Sequence, residues 1–349
     1  MISVAKNTAN SSGSKNNTAP LAPRRRVFIA FIVGLVIVLV LGLGTLTAGV
    51  YAAHWSSPVV KRIVRLVPIP AVSVNGRWRS YYDFLDAVGT LEYSFNQEAV
   101  RQASGLTTKP PRPQIQTIVL DRLVKEELVR QLARRRGVTV STADIEAEMQ
   151  KLIEQSGDAA TVTAQIKQLY NWDLATFRQR VVEPYLLRQR LQESIAADEA
   201  INKAEAERAQ QLLERVERGQ EDFQAIAREV NDDVTKGTGG DLGVFGRGER
   251  EAALDEAAFG LEVGRTSGIV RSREGFHLLK VLEKIPADEK TGDGERVHVA
   301  HIFVSAKPLD QWLYEQAQQY DVTVFITGFR WDRSTAQVIA ATGSANAAP

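Results

Sequence analysis

Residues 27–53 read VFIAFIVGLVIVLVLGLGTLTAGVYAA, 27 residues without a single charge. As a helix rising 1.5 Å per residue, the run spans ~40 Å, more than the ~30 Å hydrocarbon core of a bilayer. No face of it is polar, so it is not the one-sided stripe of a helix lying on a soluble core. Arg24, Arg25 and Arg26 stand directly before it. The excess of cations on cytoplasmic flanks then puts the N-terminal side in the cytoplasm. Residues 24–53 therefore read as a single-pass transmembrane anchor. Residues 1–23, rich in Ser, Asn, Thr, Ala and Lys, read as a disordered cytoplasmic tail. Residues 54–349 are expected outside the cytoplasm, at the cell membrane. The rival is a cleaved signal peptide, since Val50-Tyr51-Ala52-Ala53 ends the run in small residues. Against it, such peptides usually carry an apolar region of about 7–15 residues.

Composition narrows what the rest does. With 43 Lys+Arg against 42 Asp+Glu, the chain lacks the basic excess of a general nucleic-acid binder. Its lack of cysteine excludes disulfides, zinc thiolates, iron–sulfur clusters and a lipid-modified cysteine anchor.

Beyond the apolar run, 54–70 contains Pro58, Pro68 and Pro70 and reads as a linker. Residues 71–199 are mostly helical in pattern. Asn75-Gly76 marks a turn, and a helix starts near Ser80. Ile115, Ile118, Val119, Val124, Leu128 and Leu132 recur at helical spacing, and that stripe ends at Arg134-Arg135-Arg136-Gly137. Ser141-Thr142-Ala143-Asp144 is a capping-box variant that opens the next helix. A further helix runs from Asp173 to about Ile195, and Pro184 is expected to kink it. This order of VNG, long apolar helix, basic stop with Gly-Val-x-Val-Ser, short helix and aromatic-bearing helix resembles the N-terminal chaperone region of SurA-type and PrsA-type folding factors.

Residues 200–285 change character. Helical patterns over 204–217 and 223–230 are split at Gly219, and GTGGDLGVFGRG follows at 237–248. This glycine-rich stretch lacks the Lys-Ser/Thr of a phosphate-binding loop and no apolar strand leads into it. Glu251–Leu261 reads as a helix, Ser267–Val270 and Phe276–Leu282 as strands. Gly239-Gly240-Asp241-Leu242-Gly243, Phe259, Gly264, Ser267-Gly268, Val270 and Gly275-Phe276-His277 together resemble the parvulin class of peptidyl-prolyl isomerase.

The resemblance exposes a gap. A parvulin domain opens with a central strand bearing His-Ile-Leu, yet the residues before Ala204 are the polar AADEAINK. The matching residues lie downstream, in VHVAHIFV at 297–304, as His301-Ile302-Phe303-Val304. Its alternate residues Val297, Val299, His301 and Phe303 face one way and His298, Ala300, Ile302 and Val304 the other, both mostly apolar, as in a strand covered on both sides. The resemblance thus implies an α+β chain. It comprises a single transmembrane helix, a mostly helical SurA-like domain, and a parvulin-like (FKBP-like) antiparallel sheet with surrounding helices, whose first strand comes from the C-terminal side. In this scheme 286–295 is a linker, 296–331 a strand–helix–strand that completes the sheet, and 332–349 a disordered tail. A truncated second parvulin repeat is the alternative for 296–331.

Carried over by position, the resemblance implies a polar cluster of His277, His301 and Asp233 with Ser272 beside it. It places a proline seat at Leu242, Phe245, Arg250, Leu254 and Phe259. Family members have Met and Phe where this chain has Arg250 and Leu254, so turnover is the open point. The resemblance implies no cofactor and no metal. Its partners would be unfolded or partly folded client polypeptides containing proline, its activity X-Pro isomerisation in secreted or envelope proteins. A non-catalytic holdase or an envelope scaffold is the alternative.

Overall fold

Most of the uncharged run lies in helix α1 (Pro23–Tyr51), the first of the described elements. The computed structural model describes residues 23–287 and 294–341, so the expected tail at 1–22, most of the 286–295 linker and residues 342–349 lie outside the described residues. Two units result, one ending at Trp55 and one running from Ser56 onward. Within the first, Gly34–Tyr51 is long and apolar enough to cross a membrane by length and composition. Its large apolar side chains from Leu35 to Leu43 are exposed.

The second unit begins with helix α2 (Pro58–Leu66), capped by Ser57. The linker expected at 54–70 is therefore corrected. Pro58 sits in the first helical turn, where its missing N–H costs nothing, so a proline that suggests a loop here starts a helix. Strands β1 (Pro70–Val74) and β2 (Arg77–Ser80) pair through Asn75 and Gly76, both with positive φ, as a tight hairpin turn demands. Ser80 then caps α3 (Tyr81–Asn96) with a full capping box to Asp83. Helices α4 (Glu98–Ala103), α5 (Arg112–Arg135), α6 (Thr142–Ser156) and α7 (Ala159–Tyr170) follow. The long α5 stops where Gly137 takes φ 69°, and α6 starts on the capping box of Ser141 and Asp144. Around Pro184 the helix does not simply bend. Between α8 (Leu174–Phe177) and α9 (Glu183–Ala196) lies a π-turn, Arg178–Val182, in which the Glu183 N–H donates to the Arg178 carbonyl. Pro184 has no N–H for the carbonyl four residues back, and the wider turn absorbs that loss.

Helices α10 (Lys203–Glu217) and α11 (Phe223–Val230) lead to β3 (Asp241–Gly246), α12 (Ala252–Gly260), β4 (Val270–Arg271) and β5 (Gly275–Ile285). The strand β6 (Arg296–Ser305) lies between β3 and β5, in an antiparallel sheet of order β3-β6-β5-β4. Its alternation works on both sides. Ala300, Ile302 and Val304 join Phe276 and Leu278 against Leu212, Phe223 and Ile226 of α10 and α11. Val297 and Val299 join Leu279 and Val281 against Phe245, Ala258 and Phe259. Burying side chains of this size contributes about 1.5–3 kcal/mol each.

Only β6 of the segment 296–331 enters that sheet, which corrects the expectation that all of it would. Helix α13 (Leu309–Ala317) packs on α5 and α9, where Arg188 meets Asp310 at 2.8 Å. Strand β7 (Val322–Val324) pairs with β1. A two-stranded hairpin is marginal alone, and Ala71, Val72 and Val74 of β1 are fully buried, so β1 needs this second neighbour. The tail expected from 332 is corrected as well. Strands β8 (Phe329–Asp332) and β9 (Gln337–Ala340) form a hairpin, and the Val338 N–H donates to Asp121 of α5 at 2.9 Å.

Candidate active site on the four-stranded sheet

Pairing register brings the two histidines together. Leu279 lies opposite His301, and His277 opposite Phe303, so the imidazoles are diagonal neighbours on one face. Their Nδ1 atoms are 3.0 Å apart, and both side chains are almost fully buried. Phe303 packs on both rings, at 4.6 Å from His277 and 5.7 Å from His301 between centroids.

The remaining polar groups come from two turns. After α11 a short 3-10 turn, Val234–Thr238, is capped by Asp233. It places Asp233 Oδ2 at 3.1 Å and Thr235 Oγ1 at 2.9 Å from His301 Nε2, with Thr235 Oγ1 donating to Asp233 Oδ1 at 2.5 Å. Ser272, between β4 and β5, puts its Oγ 2.8 Å from His277 Nε2. That hydroxyl oxygen already accepts from the Glu274 and Gly275 N–H groups, so its own proton points to the imidazole.

Donor counting then fixes the tautomers. A bond between two Nδ1 atoms needs one N–H and one lone pair. Ser272 donates to His277 Nε2, which leaves His277 protonated on Nδ1 and donating to His301 Nδ1. His301 therefore carries its proton on Nε2, aimed at Asp233 and Thr235. The opposite assignment would set a lone pair of His301 against the Asp233 carboxylate. One direction of donation thus runs Ser272, His277, His301, Asp233.

Both imidazoles are neutral in this arrangement. Burial first, and the neighbouring His301 second, push His277 from 6.5 down to about 3, with Asp233 pulling the other way. His301 is also held low, chiefly by burial; Asp233 opposes this, and the Arg250 charge adds to it. A second proton on His277 would have to enter at Nε2 against the Ser272 hydroxyl proton, and one on His301 would enter at Nδ1 and break the bond between the two Nδ1 atoms.

Four residues that the sequence reading did not assign to the site complete it. Asn231, buried, donates to Thr235 Oγ1 and the His301 carbonyl at 3.1 Å each, and accepts from the Phe303 N–H at 3.0 Å. It ties the capped turn to β6. Gly240, at φ 79°, lies so close that a Cβ there would stand 1.9 Å from the His301 carbonyl oxygen. Thr235 and Phe303 are the other two. The only sequence signal for Asn231 and Thr235 is the cap-rich run Asn-Asp-Asp-x-Thr.

The expected proline-seat residues fall on the same face as the relay. Phe245 and Phe259 are buried edge to face at 6.2 Å, with Leu242 and Leu254 partly buried against them. Arg250 is exposed, yet it stays at the edge of this cluster. Its guanidinium lies 5.2 Å from the Phe245 ring centre and donates to the Leu242 carbonyl at 2.9 Å. Among the described residues no group of three His, Asp or Glu is placed to hold a metal ion.

The stacked histidine pair thus spans the two central strands β5 and β6, held by a capped acidic turn and backed by an aromatic cluster. Residues 188–283 match the PPIC-type PPIase (rotamase) domain family and residues 22–191 the SurA-like N-terminal domain family. The chain therefore joins a SurA-like N-terminal domain to a PPIC-type PPIase domain. The SurA-like match takes in α1, and the PPIC-type match ends before β6, the strand that bears His301.

The chain is 28% identical over 225 residues to the chaperone SurA of Alkalilimnicola ehrlichii, covering 54% of this chain and 51% of that one. It is 31% identical over 171 residues to the foldase protein PrsA of Caldanaerobacter subterraneus, covering 46% and 55%. Over 58 residues it is 48% identical to the peptidyl-prolyl cis-trans isomerase ESS1 of Saccharomyces cerevisiae, covering 17% and 34%. It spans about half the length of the SurA and PrsA relatives.

Proposed function

We infer that the protein is a membrane-anchored folding factor acting outside the cytoplasm, whose PPIC-type domain isomerises X-Pro bonds while its SurA-like region holds the client. The buried relay of Ser272, His277, His301 and Asp233 carries this reading. Rotation about an X-Pro bond makes and breaks no covalent bond, and its ~18–20 kcal/mol barrier is amide resonance. A catalyst has to favour the twisted amide over the planar one. The planar form separates charge between oxygen and nitrogen; the twisted form does so less. A dry site of neutral imidazoles, fixed in one direction of donation, offers little to the planar form. Leu242, Phe245, Leu254 and Phe259 supply the apolar side on which a pyrrolidine ring rests. The relatives named SurA and PrsA support a client-holding role for the helical region, and α1 with Arg24–Arg26 supports the anchor and its orientation.

The test is refolding of a substrate limited by X-Pro isomerisation, with residues 56–349 as catalyst. The wild-type fragment is expected to speed the slow phase. His277→Ala and Asp233→Asn should each lower that acceleration about tenfold, or ~1.4 kcal/mol of barrier. No acceleration by the wild-type fragment sinks the enzymatic reading.

The Arg250 contact favours a second reading, a domain that binds without turnover, because the guanidinium occupies the Phe245 face. In that case the fragment suppresses aggregation of several unrelated unfolded clients and leaves the slow phase unchanged. Binding to a single partner, without general suppression, marks a scaffold.

A further inference from the structure

Helix α2 carries two apolar faces, and the fold uses one. Val60 and Val64 are buried, and α2 packs against α3. Val59, Ile63 and Leu66 form a second stripe at spacings of four and three. At 100° per residue it lies roughly 110° around the helix from the buried pair. Its members are 63%, 39% and 83% exposed, and Val67, just past the helix, is exposed too. Arg62 and Arg65 are exposed along one flank of this stripe. Lys61, on the far side, is taken up by Asp86 at 2.6 Å.

A stripe of this kind on a soluble surface exposes apolar area with no gain, but its place in the chain supplies a partner. Six residues, 52–57, separate the end of α1 from the start of α2. Even fully extended, the link from Tyr51 to Pro58 spans no more than ~25 Å. If α1 crosses the bilayer, α2 is bound to lie near the headgroups. Within those six residues Trp55 is 43% exposed, and tryptophan favours the headgroup level. Apolar side chains flanked by arginines are the chemistry of a helix lying in the plane of a membrane surface.

We propose that α2 is a membrane-surface helix, seating Val59, Ile63 and Leu66 at the acyl boundary of an anionic phospholipid leaflet while Arg62 and Arg65 meet the phosphates. Its buried face packs on α3, so this contact restrains the whole folded unit beside the membrane rather than leaving it on a free tether. The proposal rests on the anchor reading above, and the test separates the two.

The chain has no cysteine, so one introduced cysteine is a unique label. Full-length Leu66→Cys, Leu39→Cys and Glu154→Cys chains, each carrying an environment-sensitive fluorophore, are placed in nanodiscs of mixed phosphatidylglycerol and phosphatidylcholine. The discs contain lipids spin-labelled near the headgroup or deep in the acyl chain. Deep quenching at position 39, shallow quenching at 66 at least threefold above that at 154, and a blue-shifted emission at 66 are expected. Quenching at 39 with none at 66 overturns the docking of α2 and keeps the anchor. Absence of quenching at 39 overturns the anchor and the docking with it. Adding Arg62→Glu and Arg65→Glu to the Leu66→Cys chain should at least halve the shallow quenching. Unchanged quenching there overturns the phosphate contact.

Discussion

The two halves of the folded unit are specified in different ways. In the SurA-like region most structure is local: Ser80, Ser141 and Asp173 each cap a helix through a side chain three residues before its bonded N–H. In the PPIC-type region the decisive contacts span long stretches of chain. Asn231 reaches Phe303 across 72 residues and Asp233 reaches His301 on β6. The first region is built from many independent small terms. The second closes around one strand and one polar chain, so a single change there propagates.

Glycines in the same backbone conformation give the sharpest contrast. Gly240 and Gly137 both have positive φ, but a Cβ at 137 meets nothing within 4 Å, whereas at 240 it strikes the His301 carbonyl at 1.9 Å. Gly137→Ala is expected to cost about 1 kcal/mol, the backbone penalty alone. Gly240→Ala should cost about 3 kcal/mol or more, because backbone has to move against backbone in the sheet. Urea unfolding of residues 56–349 followed by circular dichroism reads both. Equal midpoints for the two variants would erase the distinction drawn here.

Asn231→Ala comes next. It strands the Phe303 N–H and removes a donor from the His301 carbonyl and Thr235, for an expected loss of about 2–3 kcal/mol. Amide exchange should rise at Phe303 while α5 and α6 keep their protection. Uniform loosening of both regions would show that they unfold as one.

Acid is expected to act on the PPIC-type region through its histidines. An unfolded imidazole takes up a proton near pH 6.5, whereas folded His277 does so only at about 3. Between these values the unfolded chain holds more protons, so stability falls as pH drops through 6.5 and levels off near 3. From pH 7.5 to 5 the loss is about 2 kcal/mol for one such histidine. Replacing His277 by Leu should remove its share of this slope and leave that of His301, which burial also holds low. An unchanged slope in the variant assigns it elsewhere.

How far each region was legible follows the same division. Caps, the Asn75-Gly76 turn and the glycine stop of α5 are written in adjacent residues, and they stand where the local chemistry puts them. The partners of β7 and β9 were not legible. A strand such as Val322–Val324 encodes that it pairs but not with what, and β1 lies some 250 residues away. Strand β6 was placed through its likeness to a known opening strand, since periodicity alone does not name a neighbour. At the site, His277 and His301 stood out as rare residue types. Asn231 and Thr235 did not, because inside NDDVTKG they look like any turn. Arg250 shows another limit: its residue type does not say what it touches, and only the Leu242 carbonyl fixes its guanidinium beside Phe245.

The smallest effect tests whether the helical region is as local as its caps suggest. In Ser141→Ala the Asp144 N–H loses its acceptor, and Asp144, held below the usual carboxylate range first by Ser141, loses its hydroxyl partner. The loss is expected to be about 1 kcal/mol, typical of an N-cap. Because α6 shares no hydrogen bond with the histidine relay, the acceleration of X-Pro-limited refolding should stay within about twofold of wild type, a change worth less than ~0.5 kcal/mol of barrier. A Ser141→Ala chain that keeps its fold but loses most of that acceleration would tie client holding to the isomerase site through α6. The two regions would then act as one device rather than as neighbours on a chain.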